Sequence, residues 1–420
     1  MSDELRQEIF EEFRDAGKAM TSYGYPVGEK ARLFLESGIY LYATREGVDL
    51  SNIQIGDIEI LRDEMLPVYD TEMHAMIYFQ TPYLMKALKM GRGFAAPLDD
   101  MAQIIGYQFS VADCRFLEAF KNPDIAKFTK NSTALVVLTE YDGETDSFDG
   151  HYLANGRTLK EAVTAMEILE KCAEITFLAD RIGFAKAVNP FDAKIEHFVY
   201  LKKYSKKRIN GFTHGTLGNV SEQELKVRKD VVEYGKKLAD TGLVQGTWGN
   251  ISIKLDDQYM LVTPSGIDYY DLLPEDIVKV EISSLKWEGN LKPTSEKSLH
   301  AGIYLKRPDV KAIVHTHSKY CSVFAACEAP LPILEKDKDK YGDELLCSGY
   351  GLSGTKTLAK AVVNGLGDRI GTIMPHHGMV AVGNSIEDAL SNAVFMENTA
   401  KTVLDLKLQD VLEGKNDEKE

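Results

Sequence analysis

Two histidines one residue apart, in Ala312-Ile-Val-His-Thr-His-Ser318, are where this sequence first offers chemistry. The β-branched run Ile313-Val314 reads as a strand, and residues two apart in a strand face the same side. His315 and His317 therefore present their imidazoles together, and two imidazoles on one face can bite a single divalent ion such as zinc. A catalytic centre asks for a third ligand. Ile370-Gly-Thr-Ile-Met374 reads as another strand, and it closes in Pro375-His376-His377-Gly378, where either histidine can supply that ligand. Cys321, Cys327 and Cys347 lie close in sequence but lack the paired short spacings of a structural zinc site.

An anion cradle is the second element of chemistry. Gln245-Gly-Thr-Trp-Gly-Asn-Ile-Ser252 is a glycine-punctuated loop running into a strand, with Thr247 and Asn250 as donors. Thr263-Pro-Ser-Gly266 is a turn that offers Ser265 and the Gly266 N–H. Lys292-Pro-Thr-Ser-Glu296 opens a helix with the apolar face Leu299, Ile303 and Tyr304, capped by Thr294 or Ser295; its free N–H groups and positive dipole end favour an anion. Singly each loop is only a turn; jointly they form a phosphate cradle without a Walker motif. Glu296, in the first turn of that helix, reads either as dipole compensation or as a general base beside the metal. His300, one turn further on, reads as structural.

All of these residues fall within one stretch, and the 420-residue chain is long enough for two domains, each able to bury its own core. Residues 3–22 carry apolar positions at helical spacing, and Gly38–Thr44 reads as a strand followed by a turn. That signature returns as Gln258–Thr263, with Asp57-Ile58 matching Asp276-Ile277 at an offset of 219. His74-Ala-Met-Ile-Tyr78 lines up with His300-Ala-Gly-Ile-Tyr304 at 226, and Asp149–Gly156 with His376–Gly383 at 227. Three ordered matches argue for a tandem duplication of a whole domain. The boundaries follow: residues 1–203, a basic linker over 204–221, a second domain over 222–412 and a charged, frayed tail over 413–420. Opposite His315 and His317 this alignment puts Lys89 and Gly91, and opposite His377 it puts Gly150. The first copy is then expected to have lost the metal ligands.

Net charge is −15 and the pI near 5.2, which argues against nucleic acid as a partner while allowing a local pocket for a small phosphorylated molecule. No apolar run approaches the roughly 18 residues of a membrane span, and the amino terminus lacks a signal-peptide layout. Five scattered cysteines without C-x-x-C pairs read as reduced thiols, so a cytoplasmic protein is expected.

The second domain resembles the class II (zinc) aldolase/adducin family. Gly246–Ser252, Thr263-Pro-Ser-Gly266, Pro293-Thr-Ser-Glu296, His315-Thr-His317 and His377-Gly378 occur in the family's order across residues 225–405, and the internal repeat extends the likeness to residues 8–185. The resemblance implies two tandem α/β/α domains, each a mainly antiparallel central sheet flanked by helices. It implies His315, His317 and His377 as ligands of one zinc per chain, with manganese or cobalt as substitutes. It makes Glu296 the acid/base group, and assigns Asn250, Ser265, Gly266, Thr294 and Ser295, with Thr247 on the same loop, to the substrate phosphate. The implied activity is retro-aldol cleavage of a phosphorylated ketose to dihydroxyacetone phosphate and an aldehyde. Dehydration, epimerisation and decarboxylation run on the same scaffold, and adducin is its non-enzymatic form. Members are often fourfold tetramers, so a homo-oligomer is expected, in which two tandem chains mimic a tetramer. A charged run, Glu335–Asp343, stands where the aldolase has an apolar stretch bearing a proton-donating tyrosine, and Tyr341 lies near it.

Overall fold

The computed structural model describes every residue except 1–2, 23–25, 29–30, 62–72, 91–92, 109, 114–132, 143–146, 205–213, 245–247 and 414–420. Thr247, half of the expected linker and nearly all of the charged tail thus lie outside the described residues. Two units emerge: Met1–Phe177 with Val188–Lys202, and Leu178–Ala187 with Lys203–Glu420. Among the described residues no helix is long and apolar enough to cross a membrane.

The first unit begins with α1 (Asp3–Ser22), which buries Ile9, Phe13, Ala16 and Met20, the stripe that helical spacing predicts. Then come β1 (Arg32–Ser37), β2 (Tyr40–Thr44), β3 (Ile58–Leu61), β4 (Ala75–Phe79), α2 (Pro82–Lys89), α3 (Asp99–Ile104), β5 (Ser110–Asp113), β6 (Ala134–Asp142), β7 (Ser147–Gly156), α4 (Leu159–Ala179) and α5 (Pro190–Val199). Its sheet runs β3-β2-β1-β4-β7-β6-β5, antiparallel except for the β5–β6 pair.

The second unit runs through α6 (Glu222–Asp240), β8 (Asn250–Lys254), β9 (Tyr259–Val262), β10 (Val278–Glu281), α7 (Lys297–Lys306), β11 (Ala312–Thr316), α8 (Lys319–Cys327), β12 (Leu331–Pro332), α9 (Lys338–Tyr341), β13 (Glu344–Leu345), α10 (Lys356–Leu366), β14 (Gly371–Met374), β15 (Gly378–Gly383) and α11 (Ile386–Leu412). Its main sheet, β10-β9-β8-β11-β15-β14, is antiparallel throughout. One face packs Met260, Val262, Ile313, Val380 and Val382 against Leu299 and Ile303 of α7 and Leu358 and Val362 of α10. The alternate residues Ile251, Leu261, Ala312, Val314 and Ala381 are also buried, and α11 packs on β11 and β15. Burial on both faces is why β11 reads as a continuous apolar run rather than an alternating one. His214 and Gly215, expected as linker, pack here: His214 Nδ1 lies 2.9 Å from Asp276 Oδ2, and Gly215 N–H donates to Asp276 Oδ1 at 2.7 Å.

A buried glutamate ties down the helix after the fourth strand in each unit. Glu170 accepts from Thr81 Oγ1 (2.7 Å), Tyr83 N (2.9 Å) and Leu84 N (3.0 Å). Glu397 accepts from Ser318 Oγ (2.8 Å), Tyr320 N (2.8 Å) and Cys321 N (2.9 Å).

One expected match fails. His74–Tyr78 leads into and forms strand β4, whereas His300–Tyr304 lies within helix α7. The letters agree, but their flanks do not: Pro82 opens α2 at its first position, while Pro308 follows the end of α7. Sheet register matches other positions. Tyr78 pairs with Arg32 on β1 and Leu153 on β7, as His315 pairs with Asn250 on β8 and Val380 on β15. Tyr78 and Gln80, not Lys89 and Gly91, therefore occupy the positions of His315 and His317. Gly150 keeps its place opposite His377, and Gln80 Nε2 donates to its carbonyl at 3.0 Å. His151 stacks on Tyr78 with ring centroids 4.1 Å apart.

Candidate metal and proton-transfer site

β11 carries His315 on the face of Ile313, toward α7, and His317 follows just past the strand's end. β15 runs antiparallel beside β11, so the turn before it brings His377 to the same end. His315 Nδ1–H donates to Met379 O at 2.8 Å, which leaves the lone pair on Nε2 facing the pocket. That Nε2 lies 2.9 Å from His317 Nε2, and the ligand atoms of His315, His317 and His377 all lie within 4.8 Å of one another. Close backbone approach sets this geometry. Gly249 has φ +102, and a Cβ there would lie 2.7 Å from His315 O. His376 adopts the left-handed conformation (φ 58) with Nε2 3.0 Å from Glu328 Oε1, and so turns its neighbour His377 inward.

Glu296 completes the cluster. It is the N-cap of α7 rather than a first-turn residue, and its side chain leaves the helix for the histidines. Oε2 lies 3.1 Å from His315 Nε2, and Oε1 lies 2.9 Å from His377 Nε2. The reading as dipole compensation therefore gives way. Burial pushes the Glu296 carboxyl up, but His315, His377 and the hydrogen bonds from His377 and Asn250 outweigh it, holding it well below the usual carboxylate range. Burial pushes His315 down to about 3, against the pull of Glu296. At neutral pH this places an anionic carboxylate and the lone pair of a neutral imidazole at hydrogen-bond distance with no proton between them. A cation placed among these groups would be stabilised by the carboxylate and the imidazole lone pair together. Three imidazole nitrogens and one carboxylate suit a borderline divalent ion, so the residues present fit a metal.

The other expected residues divide. Asn250 is brought in: its Nδ2 donates to Glu296 Oε2 at 2.9 Å, and its Oδ1 lies 2.5 Å from His300 Nε2. The amide's second N–H can still face an anion. The Thr263–Gly266 turn is zipped to the Lys292–Thr294 segment by Ser265 N→Lys292 O (3.0 Å) and Thr294 N→Thr263 O (3.1 Å). Those two N–H groups are spent there. Ser265 and Gly266 are exposed, and Gly266 sits at φ +82. Thr294 Oγ1 accepts from Glu296 N at 3.3 Å, a bond that locks the loop before α7 without capping the helix as expected. Ser295 is half-buried beside Gly354. Tyr341 packs on Phe395 with tilted rings, centroids 4.3 Å apart, and shares a cavity of about 290 Å³ with Val310 and Gly383, at the opposite end of β11 from His315.

Sequence reading missed the group behind Glu296: Ser252, His300 and Tyr304. Its signal lies in spacing. Glu296, His300 and Tyr304 fall at i, i+4 and i+8 around one helix, and Asn250 and Ser252 at i and i+2 on one strand face.

Residues 229–404 match the family model "Class II Aldolase and Adducin N-terminal domain". The 5-deoxy-D-ribulose 1-phosphate aldolase of Bacillus thuringiensis serovar kurstaki is 38% identical over 177 residues, which are 42% of this chain and 83% of that protein. The chain belongs to the class II aldolase/adducin family. L-fuculose phosphate aldolase of Escherichia coli K12 is 32% identical over 180 residues, 43% of this chain and 83% of the relative. A solved structure of L-fuculose 1-phosphate aldolase is 31% identical, covering 47% of this chain and 90% of that one at a TM-score of 0.42. The aldolase relatives place this member among the family's carbon–carbon lyases. The matched stretch lies within the second unit and spans the histidine cluster and Glu296.

Proposed function

We propose that the second unit is a divalent-metal-dependent aldolase that cleaves a phosphorylated ketose to dihydroxyacetone phosphate and an aldehyde. The observation that carries this reading is the meeting of three histidine Nε2 atoms with the Glu296 carboxylate in one buried pocket. Relatives named as 5-deoxy-D-ribulose 1-phosphate and L-fuculose phosphate aldolases support the substrate class. When bound, the ion (zinc foremost, manganese or cobalt as substitutes) supplies Lewis-acid stabilisation of negative charge on the substrate's oxygens. His315, His317 and His377 would hold it, one per chain.

In the cleavage, the C4 hydroxyl gives up its proton to solvent, the C3–C4 bond breaks with its electron pair staying on the three-carbon fragment, and the Glu296 carboxylate takes a proton from solvent to pass on. That fragment then takes a proton at C3, and Glu296 is the group that delivers it and, in the reverse direction, removes it. Asn250, Ser265, Gly266, Thr294, Ser295 and Thr247 would receive the phosphate and aim the reacting carbon at Glu296. The first unit we read as a duplicated copy that has lost the ligands, with Tyr78, Gln80 and Gly150 at their positions. Its shared strand order and its matching buried glutamate support that reading. The assembly is proposed to be a homo-oligomer, a dimer or larger.

The test is metal content and dihydroxyacetone phosphate release from a panel of ketose 1-phosphates, for wild type, His315→Ala and Glu296→Gln. Wild type is expected to bind one divalent ion per chain and to turn over. His315→Ala should lose ion and activity together. Glu296→Gln should keep the ion while its rate falls about 10²- to 10⁴-fold. Metal without cleavage would move the chemistry to dehydration or decarboxylation, and failure to bind a supplied metal would return the chain to an adducin-like role.

A further inference from the structure

Behind Glu296 lies a row of buried polar groups that no step above uses. Tyr304 Oη lies 2.7 Å from Ser252 Oγ and 3.1 Å from Ser252 O; Ser252 Oγ lies 2.6 Å from His300 Nδ1. His300 Nε2 lies 2.5 Å from Asn250 Oδ1, and Asn250 Nδ2 lies 2.9 Å from Glu296 Oε2. All five side chains are buried. We propose that Tyr304, Ser252, His300 and Asn250 form a one-way hydrogen-bond chain that fixes the Glu296 carboxylate, with His300 a positioning residue locked as its Nε2–H tautomer. The inference rests on the assignment of Glu296 as the proton-transfer group.

Elimination sets the direction. A carboxylate only accepts, so Asn250 must turn its NH₂ to Glu296 and its carbonyl oxygen to His300. That oxygen needs a donor, so His300 Nε2 carries a proton. Burial pushes the His300 ring down to about 4, so the ring is neutral and its Nδ1 must accept. Ser252 Oγ–H is then committed to Nδ1, and Tyr304 O–H donates to Ser252. Each bond polarises the next toward the carboxylate, which strengthens the row. It also holds the carboxylate from behind while both its oxygens face the histidines. A second observation ties the row to the site. The register equivalents of Asn250 and Ser252 in the first unit are Arg32 and Phe34, and there Arg32 bonds Thr44 O and Glu59 instead. Among the described residues, the unit without the three histidines keeps neither the amide nor the hydroxyl at these two strand positions.

Nitrogen-15 histidine spectra of the full-length protein test the tautomer, with His300→Gln assigning the signal. A neutral ring protonated at Nε2 from pH 8 down to 5.5 is expected; an Nδ1–H or doubly protonated ring at neutral pH overturns the proposal. Kinetics on the metal-loaded protein test the role. His300→Leu should lower kcat about 10²-fold with KM and metal content held, because a small misplacement of the reacting group is enough to cost that much. His300→Gln still offers an N–H to Asn250 and should recover at least about tenfold of that loss. Equal losses in the two variants would mean that the ring only fills space. Should His300→Leu fail to fold, Ser252→Ala replaces it, with a kcat loss expected at unchanged KM; unchanged kcat overturns the proposal. A wild type that cleaves no ketose phosphate sinks the function instead, and the ring-nitrogen result then decides the hydrogen-bond row by itself.

Discussion

Replacing Glu397 by Ala, with Glu170→Ala as its control, separates what the shared scaffold does from what the site does. Glu397 takes one hydroxyl and two backbone N–H groups at 2.8–2.9 Å at the start of α8, directly after His317. Hydrogen bonds to a charged group contribute about 1.5–3 kcal/mol each, and losing the acceptor leaves buried donors uncompensated. The three share one carboxylate and are not additive, so a loss of about 3–5 kcal/mol is expected for Glu397→Ala. Glu170 makes the same three bonds at 2.7–3.0 Å, so Glu170→Ala should cost a similar amount. The variants should part on metal. The loosened start of α8 frees His317, and the loss of an outer support of this kind weakens a metal site about 10- to 100-fold. Cobalt titration followed by its visible absorption, alongside urea unfolding, measures both quantities. Unchanged cobalt affinity in Glu397→Ala, or an equal fall in Glu170→Ala, would refute the link from this glutamate through the chain to His317.

Two further outcomes follow from the same geometry. A Cβ at Gly378 would collide with Thr316 O and lie 3.1 Å from His317 Cα, so Gly378→Ala should cost about 2 kcal/mol or more in urea unfolding and weaken cobalt binding; a neutral substitution would contradict the close β11–β15 approach. In the first unit, burial lowers the pKa of His197, whose Nδ1 bonds Gln103 O at 2.8 Å, so its contribution to stability is full above pH 6.5 and is lost as pH falls from there toward the depressed value. His197→Asn keeps a donor and cannot titrate, so wild type should lose stability relative to it below pH 6.5, and parallel pH profiles would discount the effect.

Strand periodicity made His315 and His317 legible, because a two-residue spacing on a buried strand leaves few alternatives for where two imidazoles point. The helix after Glu296 was legible as well, but the glutamate's direction was not. Its φ and ψ of −92° and 13° place it at the N-cap, where the side chain turns away from the helix, and nothing in a run of letters marks that turn. The choice between His376 and His377 is likewise a backbone matter: His376 is left-handed and faces Glu328, which only the assembled turn reveals. The likeness between the two units was readable where their spacing agrees. Between the third and fourth strands the two units differ in length, so the shared letters His-Ala-x-Ile-Tyr fell on a strand in one unit and a helix in the other. Spacing within an element survives such slippage; spacing between elements does not.

That slippage had a chemical consequence. Setting His300 against His74 made it a residue kept without ligands, and hence structural. By register, the position matching His315 is Tyr78, so His74 and His300 do not correspond. In that unit Tyr78 stacks on His151, Gln80 bonds the Gly150 carbonyl, and Arg32 turns to Glu59. Each of these contacts occupies, with the unit's own side chains, a position that matches by register His315, His317, His377 or Asn250 of the second unit. Where the second unit gathers three imidazoles and a carboxylate, the first unit pairs its side chains with one another. A single histidine introduced at Tyr78 would stand beside His151 and across from Arg32, not among two further imidazoles.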